Sequence, residues 1–457
     1  MDKENKQVQF VAAVVAGLAS FLAPFMGSSV NIALPSIGRR FGADAVTLSW
    51  VATGYLLGAA IGLVPFGRLA DILGRKKIFV SGILTYTTST LLSTLSPSIT
   101  ALIAFRVLEG IGGAMIFGTG VAILTSVFPP EERGKALGIN TAATYLGLSL
   151  GPVLGGLLTY HFGWRSIFLV NMPLCFIIIL VARKLPGEWA EAAGEKFDSS
   201  GALLYGLALV GVMFGLSHLP QGQGILGLAA GLALIVGFAL RETRIASPLL
   251  DTALFRTNRV FAFSNLAALI NYSATFAVGF FVSLYLQYLK GMNPRSAGLI
   301  LIAQPAVMAI FSPFAGRASD RIEPRVVASI GMALSSGGLF LLAFLEEGSS
   351  FIFVVGSLAL LGFGFALFSS PNTNAVMSSV EKKSFSVAAA TLGTMRLVGQ
   401  MFSMGIAMML LTLFVGKVKI NPANHDAFLH SVRTGFMIFS TLCLAGVFAS
   451  LARGNRK

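Results

Sequence analysis

Charge is scarce in this chain: only 11% of its 457 residues are Asp, Glu, Lys or Arg, against 55% hydrophobic residues. With a mean hydropathy of +0.80, that balance excludes an ordinary water-soluble domain. Cysteine is nearly absent. Cys175 and Cys443 both fall in apolar runs without metal-ligand spacing, so neither a disulfide framework nor a zinc site is expected. The four histidines, His161, His218, His425 and His430, fall in expected loops and read as solvated residues. No phosphate loop, nucleotide fingerprint or nucleophile–base pair is found, which argues against an ATP-driven pump and against a membrane enzyme. No cofactor is expected beyond an ion gradient, and no metal.

What fills the chain instead is a series of apolar runs, each long enough to cross a hydrocarbon core as a helix, and about fourteen are counted. Their approximate spans are 10–33, 46–66, 78–96, 99–122, 136–158, 165–183, 200–217, 224–240, 260–286, 296–315, 326–345, 350–369, 386–414 and 433–452. The first run exceeds a signal-peptide core and lacks a small-residue cleavage site, so it reads as a retained helix. The net charge of +14 is a topology signal. With both termini cytoplasmic, about 23 Lys/Arg fall inside and about 8 outside, as short cytoplasmic loops require. Basic clusters then face lipid headgroups and not nucleic acid.

The chain repeats itself. The second span runs into PFGRLADILGRKK, with Gly67, Arg68, Asp71, Gly74 and Arg75, and the tenth into PFAGRASDRIEPR, with Gly316, Arg317 and Asp320 in the same order. Two such halves, 1–185 and 255–457, flank an insert, 186–254, that carries two accessory spans, an arrangement of secondary transporters. In the fifth span Gly147, Gly151 and Gly155 recur every four residues, with Gly156 beside them, offering a groove to another helix. Pro152 bends the same helix.

Almost every acidic residue lies in a loop or at a helix end; Glu109, three residues after Arg106, lies inside the fourth span. An ionisable residue in a membrane span is a functional-site hypothesis by default. Two readings stay open. Glu109 is a titrating proton-coupling group, or it is the permanent structural partner of Arg106. Arg396 and Gln400 stand in the thirteenth span, where Arg396 pairs across helices, reaches toward headgroups, or attracts an anionic substrate group. A cavity lining is drawn from Asn31, Asn265, Tyr272, Tyr285, Gln287 and Gln304 among phenylalanines, which suits amphipathic organic solutes.

The segments GRLADILGRKK, RVLEG and GLSLGPVLGG, with NIALP, WVATGYLLG and WRSIFLVNMP, together resemble the major facilitator superfamily, and the two accessory spans resemble its 14-span drug:proton antiporter branch. The resemblance covers nearly the whole chain. It implies an all-α polytopic membrane protein of two six-helix bundles plus two accessory helices, located in a prokaryotic inner (plasma) membrane and expected to be monomeric. It further implies alternating-access export of lipophilic or amphipathic, cationic drugs or biocides in exchange for protons. The 67–77 turn becomes a conformational latch centred on Asp71, with Asp320 as its counterpart, and GLSLGPVLGG becomes an antiporter helix. Two departures stand out. Glu109 occupies a position where the family pattern has glutamine, and Met26 occupies the place of the branch's first-span aspartate. The alternatives are an exporter or uniporter of one metabolite, such as a lipid, siderophore or amino acid, and an uncoupled receptor or scaffold.

Overall fold

The structure, a computed structural model, describes residues 3–129, 132–245, 248–250, 252–381 and 385–454. The described chain is helical throughout, without a β-strand. The first half holds α1 (Lys3–Phe41), α2 (Ala45–Leu73), α3 (Arg75–Thr94), α4 (Ile99–Val127), α5 (Arg133–Phe162), α6 (Ser166–Leu169) and α7 (Asn171–Ala182). Then come α8 (Ser199–His218), α9 (Gly222–Glu242) and the short α10 (Thr252–Thr257). The second half holds α11 (Arg259–Thr275), α12 (Val278–Leu284), α13 (Pro294–Leu301), α14 (Ala303–Arg321), α15 (Pro324–Leu342), α16 (Phe351–Ser378), α17 (Phe385–Phe414) and α18 (His425–Leu451).

Apolar runs become helices because, without water, backbone N–H and C=O groups must bond within the segment. Polar residues mark where the helices start. Asp44 accepts from the Val46 and Thr47 amides at 3.0 and 2.9 Å, Asn258 from Phe261 at 2.9 Å, and Asn293 from Ser296 at 2.9 Å just ahead of Pro294. Gly74, at φ 113°, links α2 to α3 in a backbone conformation that a side chain would strain.

Twelve helical segments among the described residues are long and apolar enough to cross a membrane. The expectation of fourteen spans is therefore met at twelve places. The expected third span is a helix, α3, but the run TYTTSTLLST makes it too polar to qualify. The expected sixth is broken after Leu169 into α6 and α7. The ninth and tenth are interrupted as well: α11 gives way to α12 and a π turn at Tyr285–Leu289, and α13 to α14 at Ile302.

Helices α1 to α7 pack on one another, α11 to α18 likewise, and the halves meet along α2 and α17, α5 and α13, and α1 and α12. Helices α8 and α9 approach closely through Gly211, Gly215 and Gly231; a Cβ on Gly215 would come within 2.6 Å of the Leu228 Cα. Of this pair, α8 lies over the seam between the halves. The Tyr205 hydroxyl donates to the Ala60 carbonyl of α2 at 3.1 Å, while Leu216 and Met213 pack on Gly405 of α17.

Candidate functional site

The 67–77 turn sits at the end of the molecule that carries the termini. Arg75 is 1% exposed at the start of α3. It donates to Asp71 Oδ1 from Nε and Nη2 at 3.1 and 2.9 Å, and from Nη1 to Ser126 Oγ at 2.6 Å and Glu191 Oε1 at 2.8 Å. The segment after α7 wraps this turn: Arg68 pairs with Glu195 at 2.5 Å, Glu188 accepts from the Lys76 amide at 2.8 Å, Lys76 Nζ donates to the Leu185 carbonyl, and the Ala192 amide donates to the Asp71 carbonyl at 2.9 Å. The side-chain partners of Asp71 and Arg75 thus come from the first half and from the segment that follows α7, not from the second half. The Asp320 side chain, the expected counterpart, lies outside the described residues.

Arg75→Gln should lower the unfolding free energy by about 1–3 kcal/mol, because it strips the contacts of a buried guanidinium while leaving Asp71 and Glu191 able to reach water. Glu191→Gln, at a side chain 66% exposed, should cost under about 1 kcal/mol. Thermal unfolding of the purified variants distinguishes a buried hub from equivalent surface pairs, which would give equal losses.

Arg106 and Glu109 stand on adjoining positions of α4, with Arg106 1% and Glu109 0% exposed. Arg106 Nη1 is 2.9 Å from Glu109 Oε2, while Nε donates to the Val51 carbonyl at 3.1 Å and the guanidinium stacks over the Tyr55 ring at 4.6 Å. Among the described residues neither carboxylate oxygen has a donor in hydrogen-bond geometry. The cation is therefore also held by α2 independently of Glu109, and the buried carboxylate has spare acceptor capacity. Tyr55 and Tyr86 are near neighbours, and a small cavity beside Tyr86 and Gly113 reaches Ala19 and Pro24 of α1. The α2–α4 approach is possible because Gly58 and Gly110 face backbone: a Cβ on Gly110 would come 2.8 Å from the Ala59 nitrogen.

Met26 is fully buried, 3.8 Å from the Asn171 amide nitrogen, so a polar group does face the site of the missing aspartate, from α7. The glycine row of α5 serves two neighbours. Gly147, Gly151 and Gly155 admit α1, with Ser29 Oγ donating to the Gly151 carbonyl at 3.0 Å. Gly156 and Pro152 instead face α13 of the other half, where a Cβ on Gly156 would come 2.5 Å from the Pro294 carbonyl and one on Gly298 would strike the Pro152 carbonyl.

The expected cavity residues separate into groups. Tyr272 and Arg396 are together, the guanidinium 5.1 Å from the ring centroid, with Phe365 edge-on to the same ring at 5.3 Å. Nearby, the Tyr145 hydroxyl donates to Ser369 Oγ across the halves at 3.3 Å. Asn31 lies at a second crossing, where Ser283 donates to its carbonyl at 2.7 Å and Gln287 to the Ile32 carbonyl at 2.9 Å. Asn265 is turned onto its own helix, donating to the Phe261 carbonyl at 2.9 Å. Tyr285 is occupied at the end away from the termini, bonded to the Glu346 carbonyl at 2.6 Å. Gln304 is half-buried, its carbonyl pressed against Gly362, and Gln400 is half-buried on α17. Tyr55, Tyr86, Tyr145, Asn171 and Ser369 were not singled out from sequence. Each is an ordinary polar residue in an apolar run, and only its neighbours on other helices distinguish it.

A helical body of membrane-spanning length in two halves, with a buried ion pair and polar crossings between the halves, is the architecture of a multi-pass membrane transporter. The chain belongs to the Major Facilitator Superfamily, whose family model matches residues 16–203 and 265–457. It is 27% identical over 447 residues to the riboflavin transporter RibZ of Clostridioides difficile, covering 97% of each chain. It is 32% identical over 403 residues to the multidrug resistance protein Stp of Mycobacterium tuberculosis, covering 86% of this chain and 74% of that one. Among solved structures, the POT family transporter PepTSo superposes with a TM-score of 0.72 over 99% of this chain and 98% of that one, at 15% identity.

Proposed function

We propose that this transporter exports lipophilic or amphipathic, cationic compounds in exchange for protons, as a member of the 14-span drug:proton antiporter branch. The observation that carries the reading is Glu109: a fully buried carboxylate touching one guanidinium that other groups also hold. Such a group can take up and release a proton without dismantling its surroundings. The branch assignment is supported by the stretch 204–264 left unmatched by the family model, which contains α9 and most of α8. The expected Lys/Arg bias places both termini in the cytoplasm of a cell whose inner membrane holds the protein. In that orientation the Gly156–Pro294, Ser283–Asn31 and Ala45–Val418 contacts close the outer side. Alternating access then consists of exchanging these contacts for others on the inner side. Tyr272, Arg396, Phe365 and Tyr145 offer aromatic and polar surface to the substrate.

A second reading, transport of one dedicated metabolite, is favoured by the end-to-end likeness to a riboflavin transporter. The test is transport in proteoliposomes with an imposed pH gradient, using a fluorescent lipophilic cation and, in parallel, riboflavin. Gradient-driven movement of the cation and of structurally unrelated cations supports the proposal. Movement of riboflavin alone selects the second reading, and rates indifferent to the gradient reject proton coupling.

A further inference from the structure

Arg453, just past the end of α18, is 2% exposed, and none of its three guanidinium nitrogens has a hydrogen-bond partner among the described residues. A buried guanidinium without a counter-charge is costly, and burial pulls Arg453 down to about 9, still cationic at neutral pH. It lines a cleft at the termini end of the second half, together with Val260 of α11, Pro324 and Arg325 of α15, Ala375 and Ser378 of α16, and the acid Glu323. Glu323 does not neutralise it: its Oε2 is taken by Arg325 Nε at 2.6 Å. The same cleft receives the start of α15, a 19-residue helix whose N-cap, Glu323, makes no side-chain capping bond. Two positive elements, an unpartnered guanidinium and an uncapped helix N-terminus, thus converge on one opening.

The surroundings of the cleft narrow the source of the anion. On the neighbouring helices, Ile322 and Val326 at the α14–α15 corner and Phe448 and Leu451 on α18 are apolar and 38–69% exposed. Apolar surface beside a cationic cleft at a helix end matches a molecule with a phosphate at one end and acyl chains at the other.

We infer that the Arg453 cleft binds the phosphate of an anionic phospholipid headgroup, with its acyl chains lying along α15 and α18. In wild-type protein reconstituted with phosphatidylglycerol, phenylglyoxal modification of Arg453, mapped by mass spectrometry, should be several-fold slower than with phosphatidylcholine. Native mass spectrometry should show Arg453→Gln binding phosphatidylglycerol about ten-fold more weakly, the loss expected for one charge-assisted contact. Equal protection by both lipids would overturn the inference by pointing to a partner within the chain. Protection by inorganic phosphate in detergent without protection by phosphatidylglycerol would overturn the lipid assignment in favour of a soluble anion. Should Arg453→Gln fail to fold, the wild-type labelling still decides, and Ser378→Glu, which puts a like charge against the phosphate, should weaken lipid binding with Arg453 intact.

Discussion

Glu109→Gln is expected to leave a folded transporter that still binds substrate but no longer draws on the pH gradient. Gradient-driven accumulation should fall at least about ten-fold, to the level seen without a gradient, since coupling of this kind amounts to about 1–3 kcal/mol between sites. The substitution preserves shape but removes the carboxylate charge along with the titrating site, so Arg106, 1% exposed, is left with the Val51 carbonyl and the Tyr55 ring, at some cost in stability. Arg106 keeps its bond to the Val51 carbonyl and its stack on Tyr55, so the local packing survives. Arg106→Gln should be far more damaging: it leaves a 0%-exposed carboxylate without its cation, a change that costs about 3–5 kcal/mol in comparable buried pairs. The double variant should regain most of that stability, because no uncompensated charge remains. Measured together, thermal unfolding and proteoliposome transport separate the two roles. If Glu109→Gln transports with full gradient dependence, the pair is structural and coupling resides elsewhere.

Gly156→Val should open the end of the molecule away from the termini. The Cβ alone would press on the Pro294 carbonyl at 2.5 Å, and backbone cannot yield as a flexible side chain would, so the α5–α13 contact has to part. Overpacking of this kind costs about 1–3 kcal/mol. Applied to a two-state equilibrium, that shifts the closed:open ratio by about 5- to 150-fold. A cysteine pair at Asp44 and Lys419, next to the backbone bond between Ala45 and Val418, reports the closure. Cross-linking yield should drop several-fold in Gly156→Val, whereas Gly138→Val, on the same helix with no atom within 4 Å of a new Cβ, should leave it unchanged. Unchanged yield in both would mean that α5 shifts as a body without opening the seam.

The amino-acid sequence by itself determined the helices, the duplicated turn, the small-residue face of α5 and the isolation of Glu109. These are local or periodic properties: an apolar run must satisfy its own backbone bonds, a glycine every fourth residue makes a groove wherever the helix goes, and a carboxylate in such a run is conspicuous without any partner. Local properties did not show continuity. The run that became α3 is a helix less apolar than its neighbours, and the expected sixth span is helical but broken after Leu169. Only the tertiary structure decided which surfaces meet. It wrapped 185–195 around Arg75, set Gly156 against the other half while its neighbours Gly151 and Gly155 serve α1, laid α8 over the α2–α17 seam, and left Arg453 buried without a partner. Periodicity specifies which face of a helix is small or polar, but the identity of the facing helix depends on chain connectivity and on packing of the whole body. No single stretch of sequence contains that information.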